Sequence, residues 1–531
     1  MSDRATVPET LAHLTDLSQD VTGSFVLHAS DDYFASADGL LRPGAPEWRE
    51  GAYTGRGKWM DGWESRRRRS PGHDFVIVRL GIPGTIEGVL CDTTHFKGNA
   101  PQEISLEALE ISGTTSVEEL LALPVFGDAA ALGERGGRAW LEILAHTPVR
   151  PDHPNVIAPT ARLPRATHVR MRIHPDGGVA RLRIFGHARP DPETFWGPGS
   201  VDLAAIENGG TIAAISDAFF GPPENLLLPG RGVNMGDGWE TKRRRTPGSD
   251  WCVVRLARRG FVERMEIDTH FFKGNAPVAA RIECADLASL AEADVSARLA
   301  STRGWETLVD TCPLAPHQRQ VIVPALERGA THLRLHILPH GGVNRFRAYG
   351  HALDTPGEAR AIAQMNALEP GARDAAIASF CASRGFVSAL AAQLPATSVR
   401  ELFTSTGRAL ASLGESGWLE AFAAHPRLGE AAAPAAATAQ SSAWSRAEQS
   451  SLAMGAGEVL ERLRAGGAAY AEKFGFEFIA FASGRGASEL LGLLEERFTN
   501  DRATEIGIAG REQARITRRR IGRWLEEHGA R

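Results

Sequence analysis

Hydrophobic and charged residues alternate with a period of two along several stretches of the chain. Residues 169–173 read Val-Arg-Met-Arg-Ile, and residues 333–337 read Leu-Arg-Leu-His-Ile. A period of two places one set of side chains on each face of a β-strand. A Gly-Gly pair follows each stretch, at 177–178 and 341–342, before a second alternating run. Such a pair of runs around a Gly-containing turn predicts a β-hairpin.

The first two-thirds of the chain is predicted to be antiparallel β-structure. Short strand patterns, frequent Gly and Pro and few long helical patterns are typical of a β-sandwich. Residues 75–78 (Phe-Val-Ile-Val) and 251–254 (Trp-Cys-Val-Val) indicate central strands that are buried on both faces. We expect short helices near residues 117–121 and 287–298.

The pattern changes from strand to helix after residue 350. Leu490, Leu491, Leu494 and Phe498 follow helical spacing, in a segment rich in Ala, Leu, Glu and Arg. We therefore expect a separate all-α domain. The predicted organisation is as follows: a first β-repeat at 1–190, a second at 191–352, a linker at 353–361 and a helical domain at 362–531.

The β-region is one unit written twice. Asp-Gly-Trp-Glu occurs at residues 61–64 and again at 237–240, and Asp92 and Asp268 begin a second shared motif. Both motifs recur at the same spacing of 176 residues. A constant spacing across two motifs indicates an internal duplication.

Bulk composition adds limits to this picture. The chain has 531 residues, 43% hydrophobic and 23% charged, with a formal charge of −5. These values are ordinary for a globular protein and give no reason to expect nucleic-acid or membrane binding. The five cysteines are scattered without a CxxC pair. We therefore expect a reducing, cytoplasmic location and no metal site.

Each repeat concentrates ionisable residues in its two motifs. Arginine binds carboxylates and urea-like carbonyls, and Asp, Glu and His can transfer protons. The alternative is structural: a core Trp in a tight turn, arginines on a solvated face, and aspartates that cap turns. His95 and His270 do not align, because Thr94 stands opposite His270. The two copies therefore need not share one chemistry.

Residues from about 16 to 352 resemble the allantoicase (allantoate amidinohydrolase) family. The resemblance is carried by the segments 216–220, 234–241, 243–245 and 268–277. It implies two tandem jelly-roll-like β-sandwiches and hydrolysis of allantoate to (S)-ureidoglycolate and urea, without a cofactor. Losing urea requires a proton for the departing nitrogen, water at the central carbon and an anchor for the carboxylate.

Within that resemblance we assign candidate roles in the second repeat. Glu240 or Asp237 would carry protons, and Arg243 or Lys273 would hold the carboxylate. The first-repeat counterparts Glu64, Asp61, Arg67 and Lys97 would form a second site or share one. Further candidates for substrate binding are Asp92, Asp268, His95 and His270.

Two polar motifs stand out in the helical region. His425 precedes Pro426, whose ring restricts the backbone and can aim an imidazole. Ser445, Glu448 and Gln449 fall on one helical turn and could face a ligand together. The structural alternatives are a surface histidine at a helix end and a capping box formed by Ser445 and Glu448.

Residues 366–525 resemble the decarboxylase of 2-oxo-4-hydroxy-4-carboxy-5-ureidoimidazoline (OHCU). The resemblance rests on His425-Pro426, on the motif 444–450, on the segment 470–485 and on 495–500 and 516–520. It implies that His425 is the catalytic acid or base that yields (S)-allantoin, with Glu448 orienting or sharing protons. The remaining residues would bind substrate: Pro426, Ser445, Gln449, Phe476, Phe478, Ile479, Arg485 and Arg520.

One departure from the decarboxylase pattern concerns a turn. The family usually has Cys-Gly-Ser where this chain has Cys381-Ala382-Ser383. Loss of the glycine predicts a different local turn.

Both resemblances imply the same field of metabolism, the breakdown of urate-derived ureides. The competing hypothesis is that the β-repeats bind a ureide or carbohydrate without catalysis, beside an active decarboxylase. In either case the expected partners are small ureides, allantoate and OHCU, and further copies of the same chain in a homo-oligomer.

Overall fold

The computed structural model describes residues 10–111, 115–127, 139–197, 199–325, 328–426, 440, 444, 457–482 and 485–530. The strands of the first repeat are β1 (Thr15–Asp16), β2 (Phe25–Ala29), β3 (Tyr53–Thr54), β4 (Gly57–Lys58), β5 (Trp63–Glu64), β6 (Asp74–Asp92), β7 (Glu103–Leu109), β8 (Val125–Phe126), β9 (Trp140–Pro148), β10 (Pro154–Ile157), β11 (Ala166–His174), β12 (Gly178–Val179) and β13 (Arg181–Ala188). Those of the second are β14 (Val201–Asp202), β15 (Thr211–Ile215), β16 (Trp239–Glu240), β17 (Asp250–Asp268), β18 (Ala279–Ala285), β19 (Glu306–Pro313), β20 (Arg319–Ile322), β21 (Gly329–Leu338), β22 (Gly342–Val343) and β23 (Arg345–Ala352).

Helices are few in the repeats and dominate the last third of the chain. The repeats contain α1 (Val117–Ala122), α2 (Glu193–Trp196) and α3 (Glu292–Ala300). The last third contains α4 (Pro356–Ala367), α5 (Pro370–Phe380), α6 (Arg384–Ala391), α7 (Val399–Ala411), α8 (Glu415–Ala423), α9 (Gly457–Phe474), α10 (Ala487–Arg497) and α11 (Arg502–Gly529). The expected fold class is confirmed: two antiparallel β-sandwich repeats precede an all-α domain. Within the described residues, no helix is both long and apolar enough to span a membrane.

A single 19-residue strand organises each repeat. The first half of β6 pairs with β2 and β11, and its second half pairs with β10 and β13. In the second repeat β17 pairs with β15 and β21, then with β20 and β23. Val76, Val78, Val89 and Cys91 of β6 are fully buried in the core. The strand therefore contributes to both layers of the sandwich.

The predicted hairpins are wrong, although their strands exist. β11 pairs with β6 and β7, whereas β13 pairs with β1 and β6. The Gly-Gly segment therefore joins two strands that lie on different halves of β6. Gly177 has a φ of +136°, and a Cβ on Gly178 would lie 2.0 Å from the Phe96 ring. The glycines serve close packing here and do not close a two-stranded turn.

Other local predictions are confirmed. Residues 76–78 and 252–254 are fully buried within central strands. A helix occupies 117–122 and a second one lies at 292–300, towards the end of the predicted range. Cys381 and Ser383 lie between α5 and α6, and Ala382 keeps a negative φ, so the missing glycine introduces no strain at this turn.

The helical domain packs directly on the second repeat. α4 begins at Pro356, inside the segment predicted as a linker, and Thr355 forms a capping box with Glu358. The Glu358 carboxylate also pairs with Arg258 of β17 and accepts a 2.8 Å hydrogen bond from the Trp196 indole. Trp196 stacks on Phe403 of α7 at 5.2 Å between ring centroids. The two parts of the chain thus share a partly buried polar contact.

We expect Glu358→Ala to destabilise the helical domain by about 2 kcal/mol. The substitution strips the charge partner from Arg258, whose side chain is only 15% exposed. That value lies between the effects of breaking exposed and fully buried ion pairs. Calorimetric melting would measure it, with Glu369→Ala as the matched control on an exposed carboxylate of the same domain. Equal shifts for the two variants would contradict a role for this contact.

Candidate functional site

The Asp-Gly-Trp-Glu motif divides into a structural part and a polar part. Trp239 is fully buried, and its indole donates a 2.8 Å hydrogen bond to the Asp217 carbonyl. Glu240 is half-buried, and its carboxylate accepts a 2.6 Å hydrogen bond from the Asn275 side chain. The structural interpretation therefore holds for the tryptophan. The glutamate is left as the ionisable group.

The first repeat builds the same arrangement. Trp63 is fully buried, and its indole N–H donates a hydrogen bond to the Asp31 carbonyl. The Glu64 carboxylate accepts a 2.7 Å hydrogen bond from the Asn99 side chain. Burial raises the pKa of the Glu64 carboxyl, and the Asn99 bond partly opposes that rise.

The aspartates of the two motifs differ in their partners. Asp61 is buried and paired with the Arg181 guanidinium, and its pKa is lowered because hydrogen bonds to Arg181 and the Glu47 backbone outweigh burial. Asp237 instead accepts a 2.5 Å bond from the Val233 backbone N–H. Arg345 corresponds to Arg181 of the first repeat. Its hydrogen bond to Asp237 goes to the main-chain carbonyl and not to the carboxylate. The duplicated aspartate has therefore changed its role.

Each basic run, 66–69 and 242–245, has two paired members and two exposed members without an ion pair among the described residues, the second of which is Arg69 or Arg245. Arg66 pairs with Asp31 and Arg68 with Asp74, whereas Arg67 between them is exposed. Lys242 and Arg244 are paired in the same way, around an exposed Arg243. Neither Arg67 nor Arg243 forms an ion pair with any residue that the structure describes. These two guanidinium groups are available to a ligand.

The second shared motif consists mainly of turn structure. The Asp268 carboxylate accepts hydrogen bonds from the His270 backbone N–H at 2.8 Å and from its Nδ1 at 2.7 Å. Asp92 accepts the Thr94 N–H in the same way at 2.9 Å. His95 has a φ of +73°, matched by +72° at Phe271, so the structural counterpart of His95 is Phe271. His270 therefore has no histidine counterpart in the first repeat.

The lysines also differ between copies. Lys97 lies 3.7 Å from the Asp152 carboxylate, and both side chains are well exposed. In the second repeat His317 corresponds to Asp152, and both residues have a positive φ. The Asp152 carboxylate accepts a hydrogen bond from the His95 backbone N–H, and the His317 ring accepts one from the Phe271 backbone N–H. Lys273 is exposed and lacks an ion pair within the described residues.

A polar cavity of about 250 Å³ lies at the end of β17 in the second repeat. Of the residues predicted from sequence only Asp268 lines it, and the others are Gly230, Arg231, Glu266, Arg319, Arg345, Arg347 and Tyr349. The Arg347 guanidinium donates to the Leu228 and Gly230 carbonyls, so it fixes the adjoining loop. Arg319 lies 3.5 Å from Glu266. Among the described side chains, no group of three or more is arranged to hold a metal ion.

The helical domain places His425 beside two residues of α11. Burial and the positive charge of Arg520 lower the pKa of His425 to about 3, and the nearby Gln513 side chain opposes this shift only in part. Arg520 is 4% exposed and Gln513 is fully buried, with its Oε1 unpaired in the described part of the chain. Gln513 carried no signal in the sequence motifs. The cluster combines a neutral imidazole with a buried cation.

The segment 475–482 packs against α8, next to this cluster. Phe476 packs on Phe422 of α8 at 5.2 Å, and the His425 backbone N–H donates to the Phe422 carbonyl. Phe478 and Ile479 are 7% and 2% exposed. Within the described residues, the backbone N–H groups of Phe478 and Ile479 donate no hydrogen bond. Buried donors of this kind can serve a bound carbonyl.

Some residues of the sequence motifs hold the helices together. The fully buried Glu505 carboxylate accepts bonds from Arg497 at 2.8 Å, from Asn500 at 2.8 Å and from the Tyr470 hydroxyl. Arg485 is likewise engaged by Glu489 at 3.2 Å and Glu512 at 3.3 Å. Pro426 ends the described segment after α8 and is half-buried. The predicted residues Ser445, Glu448 and Gln449 lie outside the described residues.

Comparison with known proteins identifies both parts of the chain. The allantoicase repeat model matches residues 15–189 and 201–353, and the OHCU decarboxylase model matches residues 366–522. The chain belongs to the allantoicase family and carries a C-terminal OHCU decarboxylase domain. It is thus an enzyme of purine catabolism with hydrolase and decarboxylase domains.

Two individual relatives agree with the allantoicase assignment. A probable allantoicase of Nocardia farcinica is 42% identical over 346 residues, covering 65% of this chain and 96% of the relative. The crystal structure of allantoicase from Saccharomyces cerevisiae is 33% identical with a TM-score of 0.52, covering 64% of this chain and 93% of that one. A crystal structure of OHCU decarboxylase in the presence of (S)-allantoin is 30% identical, with a TM-score of 0.24, covering 28% of this chain and 96% of that one.

Proposed function

We propose that both domains are catalytically active in this chain. The β-repeats would hydrolyse allantoate to (S)-ureidoglycolate and urea, and the helical domain would decarboxylate OHCU to (S)-allantoin. The observation that carries the proposal is that each part places a cationic side chain with a candidate proton carrier. The exposed Arg243 lies near Glu240 in sequence, and the buried Arg520 lies beside His425 in space.

The proposed hydrolysis uses groups that the second repeat leaves available. Glu240 is the favoured proton carrier, because its only described side-chain partner is the Asn275 amide. A carboxylate held by one neutral amide can accept and return a proton. Asp237 is the alternative carrier. Arg243 and Lys273, both exposed and unpaired among the described residues, are proposed to meet the substrate carboxylate.

The proposed decarboxylation uses His425 in its neutral form. Loss of carbon dioxide from C4 leaves an electron pair, which the adjacent C5=N bond of the ring takes up as a C4=C5 double bond forms. Arg520 would bind the anionic substrate, and the free backbone N–H groups of Phe478 and Ile479 would bind a carbonyl. The substrate is its own electron sink, so no cofactor is needed.

The test of the function is product release by the purified full chain. Urea release from allantoate, with and without a chelator, measures the first activity. Formation of (S)-allantoin from OHCU measures the second. Absence of urea release under both conditions would leave the β-repeats as a binding unit beside a working decarboxylase.

We expect the His425 imidazole to stay neutral between pH 8 and pH 5. Its pKa of about 3 lies well below this range because of burial and the Arg520 charge. An NMR titration of the imidazole C–H signals would show it, and Arg520→Gln should move the midpoint upward. An ordinary midpoint near 6.5 in the unaltered protein would contradict this environment.

The same depressed pKa has a consequence for stability. The unfolded chain takes up a proton at this histidine near pH 6.5, whereas the folded chain does so only near pH 3. Acidification below pH 6.5 therefore favours unfolding of the helical domain.

Assembly and location are also proposals. We propose a homo-oligomer, because Phe219 and Phe220 are 49% and 59% exposed at a motif shared with the family. Light scattering on a sizing column would give the mass. We propose a cytoplasmic location on the basis of the five cysteines, all of which are free thiols.

A further inference from the structure

The cavity of the second repeat is lined by the buried guanidinium of Arg345, which has hydrogen-bond partners on only one of its three nitrogens within the described residues. Arg345 is 6% exposed, and its Nη1 donates to the Asp237 and Asn344 carbonyls at 2.6 and 2.8 Å. Its Nε is buried and unpaired in the described part of the chain. The Nε of Arg181 in the first repeat is unpaired in the same way. The Nη2 of Arg345 also has no hydrogen-bond partner in the described part of the chain, and no carboxylate of a described residue lies within ion-pair distance. Nη2 is therefore the nitrogen of this cavity-lining guanidinium that lacks an acceptor only in the second repeat.

The first repeat shows what fills that place when the site is closed. Arg181 corresponds to Arg345, because each lies opposite the final aspartate of the long strand, Asp92 or Asp268. Its Nη2 donates to the buried Asp61 carboxylate. The first repeat thus supplies its own carboxylate to this arginine, and the second repeat does not.

Four other positions that line the cavity also differ between the two repeats. At matching register positions, Glu266 corresponds to Leu90 and Arg319 to Pro154. At the matching spacing, Tyr349 corresponds to Phe185 and Arg231 to Ala45. These four polar lining positions of the second repeat are therefore apolar in the first, whereas Asp92 and Arg183 keep the charges of Asp268 and Arg347.

The chain itself fills the first-repeat position. Leu11, Leu90 and Phe185 form a buried apolar cluster, with Leu14 packed against it. The residues of the second repeat that correspond to Leu11 and Leu14 are Gly197 and Ser200. No comparable side chains are available there to close the cavity.

We propose that only the second repeat binds substrate, and that the carboxylate of an anionic ureide, after a first contact with the exposed Arg243 and Lys273, is anchored by Arg345 inside the cavity. A carboxylate bound by Nη2 takes the place that the Asp61 carboxylate has in the first repeat and makes a charge-assisted hydrogen bond. Arg231, exposed at the rim and unpaired among the described residues, adds a second positive charge. Glu266 and Asp268 accept hydrogen bonds from the ureido N–H groups. The inference rests on the proposed allantoate hydrolysis and names the groups that recognise its substrate.

The test compares an anion with a neutral molecule of the same shape on the full chain. Hydantoate carries one ureido group and a carboxylate, and N-carbamoylglycinamide replaces that carboxylate with an amide. We expect hydantoate to bind at least tenfold more tightly than the amide, by calorimetry and as an inhibitor of urea release. Arg231→Ala should weaken hydantoate about tenfold and leave the amide unchanged.

Arg345→Gln should weaken hydantoate binding at least tenfold. Arg345→Lys keeps the positive charge and should weaken it less. Melting curves would show whether these buried variants fold, and Arg231→Ala tests the site even where they do not. Arg189→Ala, on an exposed arginine at the end of the first repeat, is the matched control.

The outcomes separate the inference from the function. Urea release with unchanged hydantoate inhibition in Arg231→Ala and in a folded Arg345 variant would overturn the cavity while the hydrolase stands. Loss of hydantoate binding in these variants, in a chain that releases no urea, would support the cavity as an anion site and overturn the hydrolase. Equal affinity for hydantoate and the amide would overturn carboxylate recognition.

Discussion

His425→Ala is expected to reduce OHCU decarboxylation about a thousandfold and to leave urea release from allantoate unchanged. Positioned acid–base groups contribute about 10²- to 10⁴-fold to a reaction. The neutral imidazole can take the proton of the C4 hydroxyl as carbon dioxide leaves. It can then give that proton to the neighbouring ring carbon C5, while C4 becomes the carbonyl of allantoin. The bound carboxylate would offset the Arg520 charge that lowers the His425 pKa, so the imidazole can hold the proton during the reaction.

Two controls make this result specific. His528→Ala changes another histidine of the same domain, which bonds the Trp524 carbonyl at 2.8 Å, and should keep activity within about twofold. Urea release in the same preparation reports on the β-repeats. Retention of decarboxylation by His425→Ala would rule out its acid–base role, and loss of both activities would show that the domains depend on each other.

Glu240→Gln is expected to lower urea release at least a hundredfold. A glutamine keeps an oxygen that can accept the 2.6 Å bond from Asn275, so the local structure is retained. It removes the group that can carry a proton, which accounts for the size of the loss. The measurement is a coupled urea assay, with decarboxylation by the same chain as the internal control.

The first-repeat variant Glu64→Gln counts the sites. If only the second repeat hydrolyses allantoate, Glu64→Gln leaves the rate nearly unchanged, whereas Glu240→Gln lowers it at least about a hundredfold. Two equal and independent sites would instead leave about half of the rate after either substitution. Unchanged turnover in Glu240→Gln would remove this residue from the mechanism and favour Asp237.

The fold shows which features a one-dimensional pattern contains. Alternation identified the strands at 169–173 and 333–337, because burial of one face is a local property. It could not identify their partners, since β11 and β13 each pair with a different half of β6. The Gly-Gly segment suggested a hairpin because a close approach to Phe96 and a tight turn require the same residue.

The candidate site shows a similar limit. The motifs identified His425, Glu240 and Asp268, but Arg345 resembled one of several alternating strand arginines. Its importance depends on an absent carboxylate partner, which is a property of three-dimensional packing. A signal did exist in the sequence: positions such as Leu90 and Glu266 differ in charge between two otherwise similar copies.

The 19-residue strands β6 and β17 also limit how the repeats can move. A sandwich whose two layers share no strand can open by separating those layers. Here one continuous backbone is hydrogen-bonded into both layers, so parting them would require breaking ladders on each side of that strand. Ligand exchange must therefore proceed through movements of the rim loops, such as the one containing Gly230 and Arg231, with the layers acting as a rigid frame.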